Sequence, residues 1–420
     1  MVNNEHTKLE LIQAQVSFIP EGWKLDKVGK ALKIKNNFRK PISQEVRSTI
    51  QGNYPYYGPT KIQDYISDYE QDGIYALIGE DGDHFLKYSS MKQTQFISGK
   101  CTVNNHAHII ESSQTCDSEW FYIFFKHRNI TNFLSRQGAG RFKLNKATLE
   151  KLPLLVPPLP EQRKIASILG TWDKAISTTE RLIDNSKQQK KVLMQQLLTG
   201  KKRLLDDSGK PFEVEWEELS MDELSVITRL AGAEYSDVWE TDPKGEITAL
   251  RGFNIGNNKL VLNNVERITK ELSLKLIRSK LNVGDIVFPC VGSIGKACLI
   301  RENDCYHINQ NIAKITPKNL ITPLFLTYLL LSVESYKQIL KFNTSSSQPN
   351  VLVGNLRKFV FNIPKNIDEQ KKIATVLSNA DKEIELLEQQ HADLKQEKKA
   401  LMQQLLTGKR RVKVDDEALA

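Results

Sequence analysis

Cysteine is scarce in this chain of 420 residues, which contains only five. An odd and sparse set of thiols argues against a disulfide framework and predicts a reducing, cytoplasmic setting. Long hydrophobic runs are also missing, since the longest, from Leu324 to Val333, is too short to cross a bilayer. The N-terminus lacks the basic-then-apolar plan of a signal peptide. Ordinary apolar and charged contents, 40% and 26%, exclude disordered and collagen-like classes, and a net charge of +9 permits nucleic acid as a partner.

Signatures of catalysis and of metal binding are missing as well. The segment GSIGKA at 292–297 departs from a phosphate-binding loop, because Cys290 stands where the first glycine belongs and no Ser or Thr follows Lys296. We interpret it as a β-turn. No close pair of cysteines has zinc-site spacing, so a small group is interpreted as core residues rather than as ligands: Cys290, Cys298, Cys305 and His307.

A long internal repeat organises the chain. The segment 161–203 returns at 369–411 with a constant offset of 208 and no gap, and 24 of the 43 aligned positions are identical. A weaker similarity lies upstream of each copy, where IPEGWKLDKV around Trp23 resembles VEWEELSMDEL around Trp216. The chain is therefore a tandem duplication, in which a variable region and a shared segment each occur twice.

Both shared segments are predicted to form long helices of about 40 residues, or roughly 60 Å. Apolar residues recur at steps of three, four or seven, as in a coiled-coil seam. Because neither helix can bury its seam alone, we expect the two to pack on each other, with homodimerisation as the alternative. The seam residues are Ile165, Leu169, Trp172, Ile176, Leu182 and Leu193 in the first segment, and Ile373, Val376, Ala380, Ile384, Leu387, Leu394, Leu401 and Leu405 in the second.

The variable regions are predicted to be compact mixed α/β domains, because short β-like runs alternate with turn signals rich in Gly and Asn. The expected fold class is α+β. Two mixed α/β domains are joined by two long antiparallel coiled-coil helices in a pseudo-twofold tandem repeat. The predicted segments are a first domain at 1–158, a first helix at 159–205, a second domain at 206–366, and a second helix with a tail at 367–420.

A duplicated domain on a fixed spacer suits duplex DNA. Antiparallel helices relate the two copies by a pseudo-twofold axis, and duplex DNA has such axes between inverted half-sites. Basic side chains suit phosphates, amides suit adenine edges, and tyrosines in the Pro/Gly loop at 53–61 suit a groove. The candidate DNA contacts are Lys33, Lys35, Arg39, Lys40, Tyr54, Tyr56, Tyr57, Lys61, Arg136, Arg141, Arg251, Asn254, Asn257, Asn258, Lys259, Asn309, Gln310 and Asn311. The basic loop at 138–143 is a further candidate contact, and the polar loop at 344–350 is a candidate for following a phosphate.

Together these features resemble the specificity (S) subunit of type I restriction–modification systems. The resemblance covers essentially the whole chain. It rests on the doubled E-Q-[RK]-K-I-A…L-M-Q-Q-L-L-T-G-K segments, the apolar lead-ins KLPLLVPPLP and RKFVFNIPKN, the pair GDIVFPCVGSIGK and YHINQNIAKI, and the set NYPYYGPTKIQDYI, GIYALIGEDGD and NNHAHII.

The resemblance implies two target recognition domains, each of which reads one half of a split DNA sequence. It also implies that the helices act as a ruler and dock two modification subunits. Those partners would methylate adenine with S-adenosylmethionine, while restriction subunits would add ATP- and Mg-dependent translocation and cleavage. The S subunit of the family is not itself an enzyme, so no cofactor is expected on this chain.

Two alternatives remain beside this interpretation. A self-contained methyltransferase or nuclease would need a separate cofactor-binding domain, for which the chain has no room. A coiled-coil scaffold that binds no nucleic acid would explain the long helices, but it would leave the basic and amide-rich loops without a role.

Overall fold

The structure is a computed structural model that describes residues 8–137, 141–230, 232–343 and 350–414. The chain divides into two compact units. Unit 1 comprises Met1–Thr178 with His391–Ala420, and unit 2 comprises Thr179–Gln390. Within the described ranges, no helix combines the length and the apolar character that a membrane span requires.

Unit 1 is built around a six-stranded sheet. Its short helices are α1 Lys8–Gln13, α2 Val28–Ala31, α3 Gln44–Thr49, α4 Ser118–Phe125 and α5 Lys146–Lys151. Its strands are β1 Lys24–Lys27, β2 Lys33–Ile34, β3 Gln51–Tyr57, β4 Ile62–Ile66, β5 Gln71–Gly79, β6 Thr94–Val103, β7 Ala107–Glu111, β8 Ser135–Gln137, β9 Arg141–Lys143 and β10 Pro153–Val156. The sheet has the order β2-β7-β5-β6-β3-β4, while β1 pairs with β10 and β8 with β9.

Two long helices, α6 and α13, contribute residues to both units. The first is α6 Leu159–Leu197. Unit 2 continues with helices α7 Met221–Leu224, α8 Gly232–Asp237, α9 Lys270–Lys275, α10 Pro323–Leu330, α11 Val333–Phe342 and α12 Val353–Leu356. Its strands are β11 Trp216–Ser220, β12 Ser225–Arg229, β13 Ile247–Leu250, β14 Glu266–Ile268, β15 Ile286–Pro289, β16 Cys298–Leu299, β17 Tyr306–Ile308, β18 Ile312–Pro317 and β19 Val360–Pro364. The second long helix is α13 Ile367–Leu405.

Among the described residues of unit 2, the strands form three hydrogen-bonded groups. One sheet has four strands in the order β12-β18-β15-β16, and another has three in the order β14-β13-β17. Strands β11 and β19 form an antiparallel pair. The resulting mixture of short strands and helices, with two long helices that pack together, confirms the predicted α+β fold class.

A glycine in the left-handed region lies three residues beyond the last residue of each long helix. Gly200 has a φ of +69° and Gly408 a φ of +66°. Just beyond them, Lys202 N donates to Gln196 O at 3.1 Å and Arg410 N donates to Gln404 O at 3.2 Å. These bonds reach six residues back and satisfy carbonyls near the helix end, and the left-handed glycine between donor and acceptor is typical of helix C-termini.

The apolar core of each unit includes residues of both long helices. In unit 1, Trp120 and Phe124 of α4 share a core with Leu169 of α6 and Leu405 of α13. In unit 2, Phe325 of α10 shares a core with residues of the same two helices, among them Leu197 and Leu377. Burial of this apolar surface is the main stabilising contribution to the packing of the helices.

Ion pairs show that the helices pack in antiparallel order. In unit 1, Asp173 Oδ1 of α6 lies 2.5 Å from Lys398 Nζ of α13. In unit 2, Lys187 of α6 lies 2.7 Å from Glu388, and Lys190 pairs with Asp381. The offset of 208 relates Asp173 to Asp381 and Lys190 to Lys398. The two units therefore use the same duplicated aspartate–lysine pair, each time with one partner from each repeat.

A second duplicated pair lies at the helix ends. In unit 1, Arg411 forms an ion pair with Glu161, whose Oε2 accepts from Arg411 Nε at 2.9 Å. In unit 2, Arg203 Nε lies 2.5 Å from Glu369 Oε1. The side chains of Glu161 and Glu369 are 8% and 0% exposed.

The predicted seam is wrong at one residue, Leu182, which is exposed. Leu182 is 47% exposed, whereas its neighbour Ile183 is 8% exposed and Thr179 is 5% exposed. The buried face of this part of α6 therefore steps from Thr179 to Ile183, a helical spacing of four that passes Leu182 by.

Candidate nucleic-acid interface

Loops of unit 1 meet near the C-terminal end of β5. Asn104 N donates to Tyr57 O at 3.0 Å, Glu80 N donates to His106 O at 2.8 Å, and Leu144 N donates to Glu80 O at 2.7 Å. We call this group the first loop cluster. It consists of Tyr57–Lys61, Glu80–Asp83, Asn104–His106 and the described residues of the β8–β9 hairpin.

Unit 2 has a matching group of loops. Asn309 N donates to Leu250 O at 3.0 Å, Cys290 N donates to Asn311 O at 2.7 Å, and Val351 N donates to Cys290 O at 2.9 Å. We call this group the second loop cluster. It consists of Arg251–Asn254, Cys290–Ser293, Asn309–Asn311 and Asn350.

The two clusters share one backbone frame. Strands β3 and β6 are parallel, with Tyr57 opposite Val103, just as β13 and β17 are parallel, with Leu250 opposite Ile308. Strands β5 and β7 are antiparallel, as are β15 and β18. Each of the three hydrogen bonds above thus has a counterpart in the other unit. The frame is repeated while the side chains upon it differ.

A partly buried carboxylate, that of Glu80, organises the first loop cluster. Glu80 accepts from Arg39 Nη1 at 2.5 Å and lies 3.2 Å from Lys143 Nζ. Arg39 Nη1 also donates to Asn105 O at 3.0 Å. Burial opposes ionisation of Glu80, yet the hydrogen bonds from the two cations and the nearby His108 hold its pKa below the usual value. The carboxylate is therefore ionised near neutral pH.

The second loop cluster contains an arginine–glutamate pair too. Arg251 Nη2 lies 2.8 Å from Glu266 Oε1, and Glu266 Oε2 accepts from Asn309 Nδ2 at 3.0 Å. The guanidinium of Arg251 lies over the ring of Phe253, 5.0 Å from its centroid. Amide, guanidinium and aromatic groups together can contact base edges and sugar or phosphate groups of DNA.

Comparison with known proteins identifies the family. Residues 20–186 and 213–396 match the model of the type I restriction modification DNA specificity domain. The chain belongs to this family. It is the specificity subunit of a type I restriction–modification system, with two target recognition domains, as the sequence predicted. Neither the family match nor the relatives support the alternative of a coiled-coil scaffold.

Relatives of this specificity subunit match over most of their length. The type I restriction enzyme MjaVIII specificity subunit of Methanocaldococcus jannaschii is 27% identical over 409 residues, covering 94% of each chain. The EcoBI specificity subunit of Escherichia coli is 25% identical over 350 residues, covering 78% of this chain and 70% of its own.

Solved structures share the fold at low sequence identity. The crystal structure of the type I restriction–modification S subunit from M. genitalium has a TM-score of 0.59 and is 13% identical, covering 93% of this chain and 96% of its own. A chain from a study of complex assembly and conformational transition of the type I R-M system has a TM-score of 0.53 at 14% identity.

The predicted basic contacts of the first target recognition domain fall into two groups. Arg39, Lys61 and Arg136 lie in or beside the first loop cluster, where Lys61 and Arg136 are exposed. Away from it, Lys33 and Lys35 lie 3.6 and 3.5 Å from Glu111 at the far end of β7, and Lys40 pairs with Glu70. The side chain of Arg141 and the residues 138–140 lie outside the described part of the chain.

The tyrosine segment at 53–61 is not a loop throughout, because β3 continues to Tyr57. Tyr56 is 1% exposed, and its hydroxyl accepts from Ile42 N at 2.9 Å and donates to Lys40 O at 3.1 Å. The prediction that Tyr56 faces a groove is therefore wrong. The ring of Tyr54 packs against that of Tyr69 at an angle of 60°, with centroids 5.0 Å apart. Burial raises the pKa of the half-buried Tyr57.

The predicted amide contacts of the second target recognition domain differ in exposure. Gln310 and Asn311 are exposed in the second loop cluster, while Asn309 is 5% exposed and bound to Glu266. Asn254 is fully buried. It donates to Val261 O and Asn264 O, both at 2.8 Å, and accepts from Arg251 N at 3.0 Å. A base contact by Asn254 is thus corrected to the support of a loop, because its three hydrogen bonds are made within the protein.

A third set of predicted contacts lies in a cleft beside the long helices. Asn257, Asn258 and Lys259 line this cleft of unit 2, together with residues of α6 and α13. Asn258 Oδ1 accepts from Leu299 N at 3.4 Å, and Lys259 Nζ lies 3.4 Å from Glu385 of α13. The segment 249–259 therefore divides between two surfaces, and residues 344–349 lie outside the described part of the chain.

Sequence reasoning missed the two glutamates and one aromatic residue. Glu80 directly follows the buried strand β5, and Glu266 opens β14, but acidic residues are poor candidates for DNA contact when considered alone. Phe253 is 49% exposed beside Arg251, and an aromatic within the polar run RGFNIGNN was the available signal.

The cysteines do not form a chemical centre in the described ranges. Cys290 and Cys298 lie in apolar cores, and burial raises the pKa of their thiols to about 12 and about 11. Cys305 is partly exposed. Within the same ranges, no group of three or more His, Cys, Asp or Glu residues could hold a metal ion.

Proposed function

We propose that each target recognition domain reads one half of a bipartite, asymmetric site in double-stranded DNA through its loop cluster. The observation that carries this proposal is the repeated backbone frame with different side chains. The tripeptide Asn104–His106 carries Asn, Asn and His, whereas Asn309–Asn311 carries Asn, Gln and Asn. Equal frames present different donors and acceptors, so the two half-sites differ in sequence. The predicted contacts that lie in the two clusters are the residues assigned to this task.

The long helices set the spacer and dock two modification subunits. The two long helices are copies of one sequence and run antiparallel. They therefore present two equivalent surfaces, on which two copies of the same partner can dock. Apolar side chains left exposed on the helices in unit 2 support a docking role: Leu182, Val192 and Leu386. This proposal leaves the chain itself non-catalytic.

The partner subunits supply the chemistry in this proposal. Two modification subunits methylate adenine with S-adenosylmethionine, and restriction subunits use ATP and Mg for translocation and cleavage. These activities follow from the family resemblance, and this chain binds none of the three cofactors. The complex acts on DNA in the cytoplasm, a setting that the free cysteines support.

Methylation mapping tests the proposal. The chain is co-expressed with a candidate modification subunit, and methyladenine is mapped by single-molecule sequencing of host DNA. The expected result is a split motif with one methyladenine in each half, on opposite strands. Replacing residues 206–365 by the second domain of another specificity subunit should change one half-site only. An assembled complex with no split motif, or an exchange that changes both halves, would overturn it.

A further inference from the structure

An arginine–glutamate pair fixes the same loop in both target recognition domains. In the first, Arg39 is bound by Glu80 and donates to the carbonyl of Asn105. In the second, Arg251 is bound by Glu266, which also accepts from the amide of Asn309. The two contacted tripeptides, Asn104–His106 and Asn309–Asn311, are equivalent in the shared frame. The first tripeptide connects β6, the second strand of the parallel pair, to β7, and the second tripeptide connects β17 to β18 in the same way.

The duplication does not account for this shared contact. In the common frame, Tyr57 matches Leu250 and Glu80 matches Cys290, because equivalent hydrogen bonds relate them. Arg251 therefore matches Gly58 and not Arg39. The two glutamates also come from different places, one after β5 and the other at the start of β14. In both domains an arginine–glutamate pair holds the equivalent tripeptide, through Arg39 in the first and through Glu266 in the second, so different residues and contacts support the same loop.

The pair in the second domain is held but remains accessible. Asn254 fixes the backbone of Arg251, Glu266 binds one end of its guanidinium, and Phe253 lies beneath it. The side chain of Arg251 is still 40% exposed. Its Nε is itself buried and finds no hydrogen-bond partner among the described residues, so the exposed part of the guanidinium lies at its other nitrogens.

A carboxylate beside the arginine points to base reading instead of phosphate binding. In the second domain the charges of Arg251 and Glu266 cancel much of the attraction for phosphate, whereas the fork of the guanidinium keeps its direction. A guanidinium held in one orientation suits the two acceptors of guanine in the major groove, and bound amides suit adenine. When the guanidinium and the amides are rigidly supported, they cannot reorient to form hydrogen bonds with a wrong base.

We propose that Glu266 and Glu80 are positioning residues that determine specificity, each for a different half-site. Glu266 orients Arg251 and the Asn309–Asn311 loop, and Glu80 orients Arg39 and the Asn104–His106 loop. This inference rests on the proposed function of bipartite DNA reading.

The test compares Glu266→Gln and Glu80→Gln in the full complex with the modification subunit. Glutamine keeps the size of the side chain and removes its charge. Methylation mapping then gives the relative rate at the cognate site and at every site with one changed base. Glu266→Gln should reduce discrimination roughly tenfold or more at one position of one half-site. Glu80→Gln should do so in the other half-site. Glu271→Gln, on α9, is the matched control and should leave the motif unchanged.

Several outcomes decide between this role and a merely structural one. A general loss of methylation at all sites, with the same relative preferences, would overturn the proposal. So would an unchanged motif, or a change in both half-sites from one substitution. Glu266→Asp retracts the carboxylate by one methylene and provides a second variant if glutamine impairs assembly. It should relax the same position. A wild-type complex that yields no split motif would refute the proposed function instead.

Discussion

Removal of Arg411 should loosen the C-terminal end of α13 in unit 1 and leave unit 2 unchanged. Glu161 accepts from Arg411 Nε at 2.9 Å and from Trp23 Nε1 at 3.2 Å, and Arg411 Nη1 donates to Glu21 O at 2.8 Å. In Arg411→Ala, the buried Glu161 keeps its hydrogen bond from Trp23 but loses the guanidinium that neutralises its carboxylate. A hydrogen bond to a charged group contributes about 1.5–3 kcal/mol. Because Arg411 is 42% exposed, water replaces part of this contribution, and we expect a loss of about 2 kcal/mol.

Hydrogen exchange measured by mass spectrometry gives this quantity locally. A loss of about 2 kcal/mol in opening free energy corresponds to exchange about 30-fold faster. The acceleration should appear in peptides that cover residues 406–414. Arg410→Ala is the matched control, since Arg410 is exposed. Arg203→Ala should produce the same acceleration in unit 2, in peptides around Arg203 and Glu369.

Exchange in Arg411→Ala that is no faster than in Arg410→Ala in this segment would refute the local role of the ion pair. An equal acceleration in peptides of unit 2 would refute it too, because the ion pair would then stabilise the chain as a whole.

Three further predictions concern stability and geometry. Asn254→Ala removes three internal hydrogen bonds and should lower the free energy of unfolding by about 3 kcal/mol, and with it the midpoint of thermal unfolding. The control Asn257→Ala should change the free energy of unfolding by no more than about 0.5 kcal/mol. Equal midpoints for the two variants would refute the loop-support role of Asn254. Burial lowers the pKa of His84 from 6.5 to about 4, so the unfolded state binds its proton more readily. Stability should therefore fall as pH drops from 6.5 towards 4, by about 2 kcal/mol at pH 5, and His84→Gln should flatten this slope in thermal melts at pH 7 and pH 5. Adding four residues to each of α6 and α13 lengthens both by about 6 Å, or roughly two base pairs, and methylation mapping should show a longer spacer; an unchanged spacer would reject the ruler.

The long helices could be predicted because their signal is local and occurs twice. An ungapped offset of 208 and an apolar seam define both segments before any contact is known. The seam prediction failed at Leu182, where the next residue, Ile183, is the buried one. In this polar part of α6, sequence periodicity is too weak to decide between adjacent apolar residues.

The loop clusters could be predicted in kind but not in detail. Residues from distant segments of the chain meet only after β3 pairs with β6 and β13 with β17, and no short-range pattern encodes those pairings. Asn254 and Asn257 are the same residue type in the same polar run. Which of them is buried depends on the carbonyls of Val261 and Asn264, whose positions the chain fixes later. The glutamates that bind Arg39 and Arg251 lie 41 and 15 residues away.

Unit 1 is discontinuous in the chain, since it requires residues 391–420 as well as residues 1–178. Its core contains Leu405 and Leu406, and its buried Glu161 is neutralised by Arg411. A ribosome delivers the N-terminus first. All of unit 2 has therefore been synthesised before the residues that complete unit 1 exist. The unit whose synthesis begins first is the unit whose synthesis is completed last, and a chain that stops at residue 390 leaves unit 1 without its final segment.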